Sequence, residues 1–267
     1  MAAPASRIAQ WNWLLAIRLF HPIPSLVTTL VAMGFGLLFR MSAMTPRLWI
    51  LGLAMLMAQF SISAANEWAD RQRDRAAARW RPVSLGMIGP TAAVVIAVAC
   101  GVIAVGLALA LSPPAAALAA LGLGIGWLYD LAAKPTPFSV LPFALAFPLL
   151  PVWAGVVAGY FPRSVSVVFL AGAPLAAAIH LADAIPDAES DAAAGSRTLA
   201  VAVGVHRARV VAASALVLGG LLFAVSDPRL WWLLVGIALA GGLLYLLLLN
   251  RWILIGSGAA IALAWFL

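Results

Sequence analysis

Carboxylate and amide side chains recur at a regular spacing in two short stretches of the chain. Asn66, Asp70 and Asp74 stand four residues apart and form the first row. Asp187 and Asp191 repeat this interval and form the second row. On an α-helix a step of four residues advances about 40° past a full turn, so each row would project from one face. Mg²⁺ takes a few carboxylates and completes its shell with water and phosphate oxygens. The spacing therefore favours metal binding at both rows.

A simpler alternative exists for either row taken alone. The carboxylates could belong to solvated charged loops in which neighbouring arginines pair with them. Two rows with the same spacing argue against this alternative, because carboxylates four residues apart repel each other unless a cation lies between them. Pro186 is expected to bend or end the helix just before Asp187, so the second row should be less regular than the first.

Basic side chains are interleaved with these carboxylates. A metal ion together with arginine and lysine binds a diphosphate and stabilises it as a leaving group. For most of the arginines, the general excess of basic residues in cytoplasmic loops is the simpler explanation, from which we exempt Arg81 and Lys134. The full basic set is Arg71, Arg73, Arg75, Arg79, Arg81, Lys134 and Arg197.

The composition places these rows in a membrane protein. Hydrophobic residues make up 65% of the 267 residues, and charged residues make up 9%. So few charges cannot cover the surface of a water-soluble domain, and the same figures exclude intrinsic disorder. The single cysteine, Cys100, excludes a disulfide framework and a cysteine metal site. We predict an all-α integral membrane protein with one membrane-embedded domain over residues 1–267.

Stretches of about 20 residues with little charge set the predicted membrane-spanning helices. The segment 1–18 precedes them and is expected to lie at the membrane interface, with its tryptophans at headgroup depth. The Ser112–Pro114 stretch divides one long apolar region into two helices. The nine predicted helices are 19–39, 48–67, 89–111, 115–130, 138–159, 165–185, 199–224, 229–249 and 252–267.

Basic residues in the predicted connections indicate the orientation. Twelve of the sixteen fall on one side, which predicts a cytoplasmic N-terminus and cytoplasmic loops that carry the carboxylates. Eight of the nine acidic residues share that side, all but Asp227. The net charge of +7 therefore reflects membrane topology rather than nucleic-acid binding, and we expect a bacterial inner membrane or a plasma membrane. The basic residues on the other side are Arg40, Arg47, Arg163 and Arg229.

Aromatic side chains and histidines near the rows give weaker signals. His180 lies one turn before Asp183 on the same helical face, which makes His180 a candidate for contact with the molecule that accepts a group from the diphosphate. Tyr129 and Trp127 could stabilise a carbocation through their ring faces. For Trp127, anchoring at the membrane interface is the simpler explanation. His21 and His206 are interpreted as interfacial residues.

Three stretches together resemble the motifs of the UbiA superfamily of intramembrane prenyltransferases. The first row, followed by Arg81-Pro82 and Gly86, is similar to the family's first aspartate-rich motif. The second row, with Gly195 and the stretch 198–204, is similar to the second motif. Tyr129 to Lys134 resembles the tyrosine-to-lysine segment after the fourth helix. In helix number and motif order the resemblance covers nearly the whole chain.

The resemblance implies a nine-helix bundle around a central cavity that is open to lipid. Members transfer an isoprenoid chain from a diphosphate donor to an acceptor, usually aromatic. Transferred to this sequence, the first row would hold one Mg²⁺ and the second row another, with Tyr129 near the developing allylic cation. The diphosphate would contact Lys134 and Arg81, and we add Asn66, Arg79 and Arg197 as further candidates. Glu67 stands where many members have aspartate, so it would be considered for metal binding through a longer side chain. Asp183 stands where many members have asparagine, which makes it a candidate for an extra metal ligand or for contact with the acceptor.

Other functions share part of this pattern. A membrane terpene cyclase of the same superfamily would ionise the same donor without an acceptor, so only its products distinguish it. An ion-coupled secondary transporter also uses intramembrane carboxylates, although these usually lie near the middle of the bilayer. The stretch 197–201 resembles members of quinone pathways, which suggests quinone or related lipid biosynthesis. The acceptor, the prenyl chain length and the oligomeric state stay open.

Overall fold

The computed structural model describes residues 16–76, 79–161 and 163–267. The predicted interfacial segment lies outside these ranges up to residue 15, which includes Arg7. Within the described ranges the chain forms a bundle of α-helices. In chain order these are α1 (Pro22–Leu38), α2 (Pro46–Ala76), α3 (Pro90–Leu111), α4 (Pro113–Leu128), α5 (Val140–Ala158), α6 (Val165–Ala184), α7 (Ala188–Ala193), α8 (Leu199–Val203), α9 (Val205–Ser226), α10 (Trp231–Leu248) and α11 (Arg251–Phe266).

The number of helices differs from the prediction of nine. Seven helical segments are long and apolar enough to cross a membrane, whereas Pro22–Leu38 and Arg251–Phe266 are apolar but shorter. These seven segments support a multi-pass integral membrane protein. The short helices α7 and α8 are additional. The seven segments are Pro46–Ala76, Pro90–Leu111, Pro113–Ala133, Pro137–Ala158, Val165–Ala193, Val205–Ser226 and Pro228–Leu248.

Two helix boundaries differ from the prediction for local reasons. The predicted helix 199–224 is divided at Gly204, whose φ of 84° and ψ of 146° are essentially restricted to glycine. The second helix continues to Ala76 instead of ending at residue 67. Its additional turns contain three arginines, two alanines and one glutamine, which favour helix even where the sequence is no longer apolar.

Proline and a capping side chain set several of the helix starts. Proline is the first residue of α1, α2, α3 and α4, where its missing N–H costs no intrahelical hydrogen bond. The hydroxyl of Ser112 accepts a hydrogen bond from the backbone N–H of Ala115 at 3.2 Å and caps α4. The predicted break at the Ser112–Pro114 stretch is therefore confirmed.

Small residues allow the helices to approach closely. Each of α1 to α5 contacts the next helix in the chain, α6 contacts α9, and α11 returns to contact α6. At the α6–α9 crossing, a Cβ on Gly219 would lie 2.8 Å from the carbonyl oxygen of Ala171, so a larger residue would force the two backbones apart. This helix arrangement brings the C-terminal ends of α2, α4 and α6 to one end of the bundle.

Candidate active site

The first row occupies one face of the last turns of α2. Asp70 and Asp74 are buried, and Asn66 is half-buried. Their side chains project from one face because the helix continues past its apolar part to Ala76. The first row is thus carried on a rigid helix rather than on a loop.

Lys134 bonds directly to this row. Its ammonium group donates to Oδ2 of Asp70, and the Arg73 guanidinium donates to Oδ1 of the same carboxylate at 3.1 Å. Lys134 follows five residues of π-helix, Tyr129–Ala133, which continue α4. A π-helical turn is wider than an α-helical turn, and such turns are frequent at functional sites. The structure therefore combines a carboxylate predicted to hold metal with a lysine predicted to bind diphosphate.

Asn66 is oriented by a buried carboxylate. Its amide nitrogen donates to Oδ1 of Asp130 at 2.7 Å, and Asp130 is 4% exposed. An ionised carboxylate can only accept, so the NH₂ group of Asn66 must face Asp130. The amide oxygen is then directed to the other side, where it can serve as a ligand.

Glu67 belongs to a second cluster beside the row. Its side chain is 1% exposed, and Oε1 accepts a hydrogen bond from Arg81 at 3.1 Å and lies 3.0 Å from Nε2 of His21. The Arg81 guanidinium also lies 2.8 Å from Nε2 of His21. Arg81 is thereby fixed near the row, and Asp74 has a separate basic partner in Arg79 at 3.6 Å.

The second row lies on the short helix that follows α6. The α-helix ends at Ala184, a 3-10 turn covers Ile185–Asp187, and α7 begins at Ala188, as expected from Pro186. Asp187 is exposed and Asp191 is half-buried. The charges of Arg79, Lys134 and Arg73 all act on Asp191, so the two rows share one basic environment.

A backbone contact joins the two regions. The N–H of Arg197 donates to the carbonyl oxygen of Pro135 at 2.8 Å, directly after Lys134. The loop from Asp191 to Arg197 turns at Gly195, whose φ is 77°. This contact holds the loop after the second row against the segment that carries Lys134, while the Arg197 side chain stays exposed.

Aromatic side chains lie beneath the charged groups. The Tyr129 ring lies 5.1 Å from Phe143 and 5.9 Å from His180, and the Lys134 ammonium lies 6.0 Å from the Tyr129 ring centroid. His180 is buried and shares a hydrogen bond of 3.1 Å with the hydroxyl of Ser139. The helices α4, α5 and α6 thus contribute an aromatic wall next to the charged cluster.

Asp183 has a different partner from His180. Its exposed carboxylate accepts a hydrogen bond from Arg251 at 2.9 Å, which links the end of α6 to the start of α11. The two residues predicted to contact the acceptor therefore lie one turn apart on α6, with His180 buried beside Tyr129 and Asp183 exposed.

The oxygen donors fit Mg²⁺. In residues 16–76, 79–161 and 163–267, no group of three or more histidine, cysteine or carboxylate side chains could hold a metal alone. Each row instead offers two carboxylates, which suits an ion that also takes water and substrate phosphates. Buried oxygens without a hydrogen-bond partner, Oε2 of Glu67 and Oδ2 of Asp130, add negative charge beside the first row.

Sequence reasoning missed three members of this cluster. His21 was interpreted as interfacial, Asp130 was not assigned a role, and Glu67 was considered only as a metal ligand. Asp130 had a detectable signal, because a carboxylate at the end of an otherwise uncharged helix is costly to bury without a purpose. For His21 no such signal exists, since its partner Glu67 is 46 residues away.

The sequence is similar to one known protein family. A sequence profile described as the UbiA prenyltransferase family matches residues 25–266. Among curated proteins, no sequence matches the chain.

Solved structures show the same fold at low sequence identity. A UbiA homologue from Archaeoglobus fulgidus bound to DMAPP and Mg²⁺ is 19% identical, with a TM-score of 0.78 over 94% of this chain and 96% of that one. A UbiA homologue from Aeropyrum pernix K1 is 19% identical, with a TM-score of 0.68 over 90% and 98%. A digeranylgeranylglyceryl phosphate synthase is 15% identical, with a TM-score of 0.71 over 94% and 95%.

Proposed function

The chain belongs to the UbiA prenyltransferase family, and we propose that it transfers a prenyl chain from an isoprenoid diphosphate to an aromatic acceptor in quinone or related lipid biosynthesis. The bond from Lys134 to Asp70 is the observation that carries this proposal. It joins a basic group suited to a diphosphate with a carboxylate suited to a cation. The coupling carboxylates of a transporter usually lie near the middle of the bilayer, whereas Asp70 lies in the last turns of α2.

The first and second rows are the candidate ligands for two Mg²⁺ ions. Asn66, Asp70 and Asp74 would hold one ion, and Asp187 and Asp191 the other. The Archaeoglobus fulgidus homologue with bound Mg²⁺ supports this choice of metal. When bound, Mg²⁺ would neutralise the diphosphate and make it a better leaving group.

The chain's own basic side chains would bind and orient the diphosphate. Lys134 and Arg81 are held in place by Asp70 and Glu67, so little side-chain entropy would be lost when substrate binds. Arg79, Arg197 and the amide of Asn66 are further candidates for contact. As the C–O bond breaks, its electron pair leaves with the diphosphate, and these donors would stabilise the growing negative charge.

The aromatic wall would face the allylic cation left by this step. The Tyr129 ring can stabilise a cation through its face. The acceptor forms the new C–C or C–O bond and loses a proton, and His180 beside Tyr129 is the candidate group for contact with it, with Asp183 as a more distant one. The apolar bundle and its predicted lipid-open cavity would hold the prenyl tail and exclude water, which would otherwise capture the cation.

A transfer assay tests the proposal. Purified protein in a lipid bilayer is incubated with Mg²⁺, geranyl or geranylgeranyl diphosphate, and a panel of aromatic and glycerol-phosphate acceptors. We expect prenylated product and diphosphate release from the wild type, and a loss of at least about a hundredfold in Asp70→Ala and Asp187→Ala. Glu189→Ala is the matched control, because Glu189 is an exposed carboxylate on α7 that lies outside the row.

The products separate the remaining alternatives. Diphosphate release with a cyclic hydrocarbon and no prenylated acceptor would instead identify a terpene cyclase. Full diphosphate release by Asp70→Ala or Asp187→Ala would refute the two-metal assignment. Substrate counterflow in proteoliposomes without prenyl transfer would favour a transporter.

A further inference from the structure

A basic cavity lies at the end of the bundle opposite the carboxylate rows. Arg40 follows α1, Arg163 precedes α6, and Arg229 lies in the 3-10 turn before α10. Together they border a cavity of about 310 Å³. Its other lining residues are Leu38, Tyr160, Phe266 and Leu267.

A buried carboxylate fixes two of these arginines. Asp227 is 4% exposed and accepts hydrogen bonds from Arg163 at 2.9 Å and from Nε and Nη2 of Arg229 at 3.1 and 3.0 Å. The hydrogen bonds from Arg229 lower the pKa of Asp227 to about 2, so the carboxylate stays ionised at neutral pH. Each arginine has further N–H donors that Asp227 does not occupy.

Arg40 has no carboxylate partner among the described residues. Its guanidinium instead lies over the Tyr160 ring, 4.4 Å from the centroid. Three guanidinium groups therefore face the cavity against one carboxylate side chain, so the side chains around it carry an excess of positive charge. Like charges near low-dielectric material repel strongly, and an anion between them would remove that penalty.

The convergence of these arginines is not explained by membrane topology. The predicted charge distribution leaves only four basic residues at this end of the bundle, and three of them line one cavity. The fourth, Arg47, instead donates to the carbonyl oxygen of Val157 at 3.0 Å. Membrane topology explains why this side has few basic residues, but it does not explain why three of the four lie around one cavity.

The surroundings indicate what kind of anion fits. Trp232 is exposed at the start of α10, and an exposed aromatic side chain at a helix end is typical of the headgroup region of a bilayer. Phosphate groups are abundant at that depth, and planar guanidinium groups bind their oxygens in pairs.

We propose that this cavity binds a phosphate group, supplied by the headgroup of an anionic phospholipid or by phosphate in solution. Arg40, Arg163 and Arg229 would bind the phosphate oxygens. The apolar lining by Leu38 and Phe266 provides a surface for the start of an acyl chain, which favours the lipid as the source. Such a site is separate from the carboxylate rows and does not depend on the proposed reaction.

Lipid binding to variants of the full chain tests this site. Native mass spectrometry of the detergent-solubilised protein would measure binding of phosphatidylglycerol and of phosphatidylcholine. We expect the wild type to retain phosphatidylglycerol in preference to phosphatidylcholine, and Arg40→Gln and Arg229→Gln to bind it about tenfold more weakly. Arg47→Gln is the matched control, since it removes the same charge from the same end of the bundle outside the cavity.

Sodium phosphate separates the two sources. The cavity accepts phosphate from solution if two results hold. Millimolar phosphate displaces phosphatidylglycerol from the wild type, and phosphate stabilises the wild type but not Arg40→Gln. If phosphate has no effect, the lipid headgroup is the source. Equal phosphatidylglycerol binding by the wild type and Arg40→Gln, or an equal loss in Arg47→Gln, would overturn the proposal.

Discussion

The ammonium group of Lys134 is bonded to the carboxylate of Asp70, although 64 residues separate them in the chain. The bond spans α2 and the π-helical turn that continues α4. It places a positive charge beside a carboxylate that is itself a candidate metal ligand. Lys134 can thus balance the charge of Asp70 in the structure and remain close to a diphosphate when substrate binds.

Replacing Lys134 tests this arrangement directly. We expect Lys134→Ala to lower the kcat for diphosphate release about a hundredfold, because one donor to the leaving group is lost. Lys134→Arg should keep part of the activity through its charge. Arg71→Ala serves as the control, since Arg71 lies over Trp68 and donates to a backbone carbonyl away from Asp70. Equal kcat values for Lys134→Ala and wild type would exclude the role.

The Asn66–Asp130 hydrogen bond predicts a metal-binding defect. Asp130→Leu removes the acceptor that orients the amide of Asn66, so we expect the Mg²⁺ concentration for half-maximal activity to rise about tenfold. Asp130→Asn keeps an acceptor oxygen and should have a smaller effect. Titration of diphosphate release with Mg²⁺ measures both variants, and an unchanged midpoint in Asp130→Leu would count against the orienting role.

Glu67 is expected to support stability as well as substrate binding. Glu67→Ala removes the buried carboxylate that accepts a hydrogen bond from Arg81 and lies against His21. The lost hydrogen bond should lower the free energy of unfolding by about 1–3 kcal/mol. The loss should not be larger, because Arg81 is partly exposed and can bind water instead. The KM for the prenyl diphosphate should rise too, since Arg81 is no longer fixed. A thermal melt with unchanged Tm would contradict the first expectation.

Gly204 predicts a purely backbone effect. A Cβ at this position would meet no atom within 4 Å, yet its φ of 84° is unfavourable for any other residue. We expect Gly204→Ala to lower the free energy of unfolding by about 1–3 kcal/mol. Gly106→Ala is the control, because Gly106 also has open space but lies inside α3 with ordinary helical geometry. A greater loss of stability in the control would refute the explanation.

Asp227 predicts a dependence of stability on acid. The pKa of Asp227 is lowered to about 2 in the folded protein, against a model-peptide value near 4. The ionised carboxylate therefore stabilises the fold fully above about pH 4, and this contribution is lost as the pH falls toward 2. The Tm difference between wild type and Asp227→Asn should be constant above pH 4 and shrink below it. A difference independent of pH down to 2 would be inconsistent with the lowered pKa.

The amino-acid sequence determined the properties that depend on composition and on short spacing. Its hydrophobic content requires a membrane environment, and the fourfold spacing of Asn66, Asp70 and Asp74 places them on one face of any helix they form. Pro186 ended a helix where it was expected to. The motifs in these stretches were also sufficient to indicate the family, which the profile match confirms.

Only the tertiary structure decided which side chains meet. The hydrogen bonds of Lys134 to Asp70 and of Asn66 to Asp130, and the close approach of Arg81 to His21, join residues 60 to 64 positions apart, in different segments of the chain. Local spacing fixes the direction of a side chain on its own helix, but the choice of partner depends on how small residues such as Gly219 let helices approach each other. For the same reason Arg40, Arg163 and Arg229, scattered along the sequence, border one cavity.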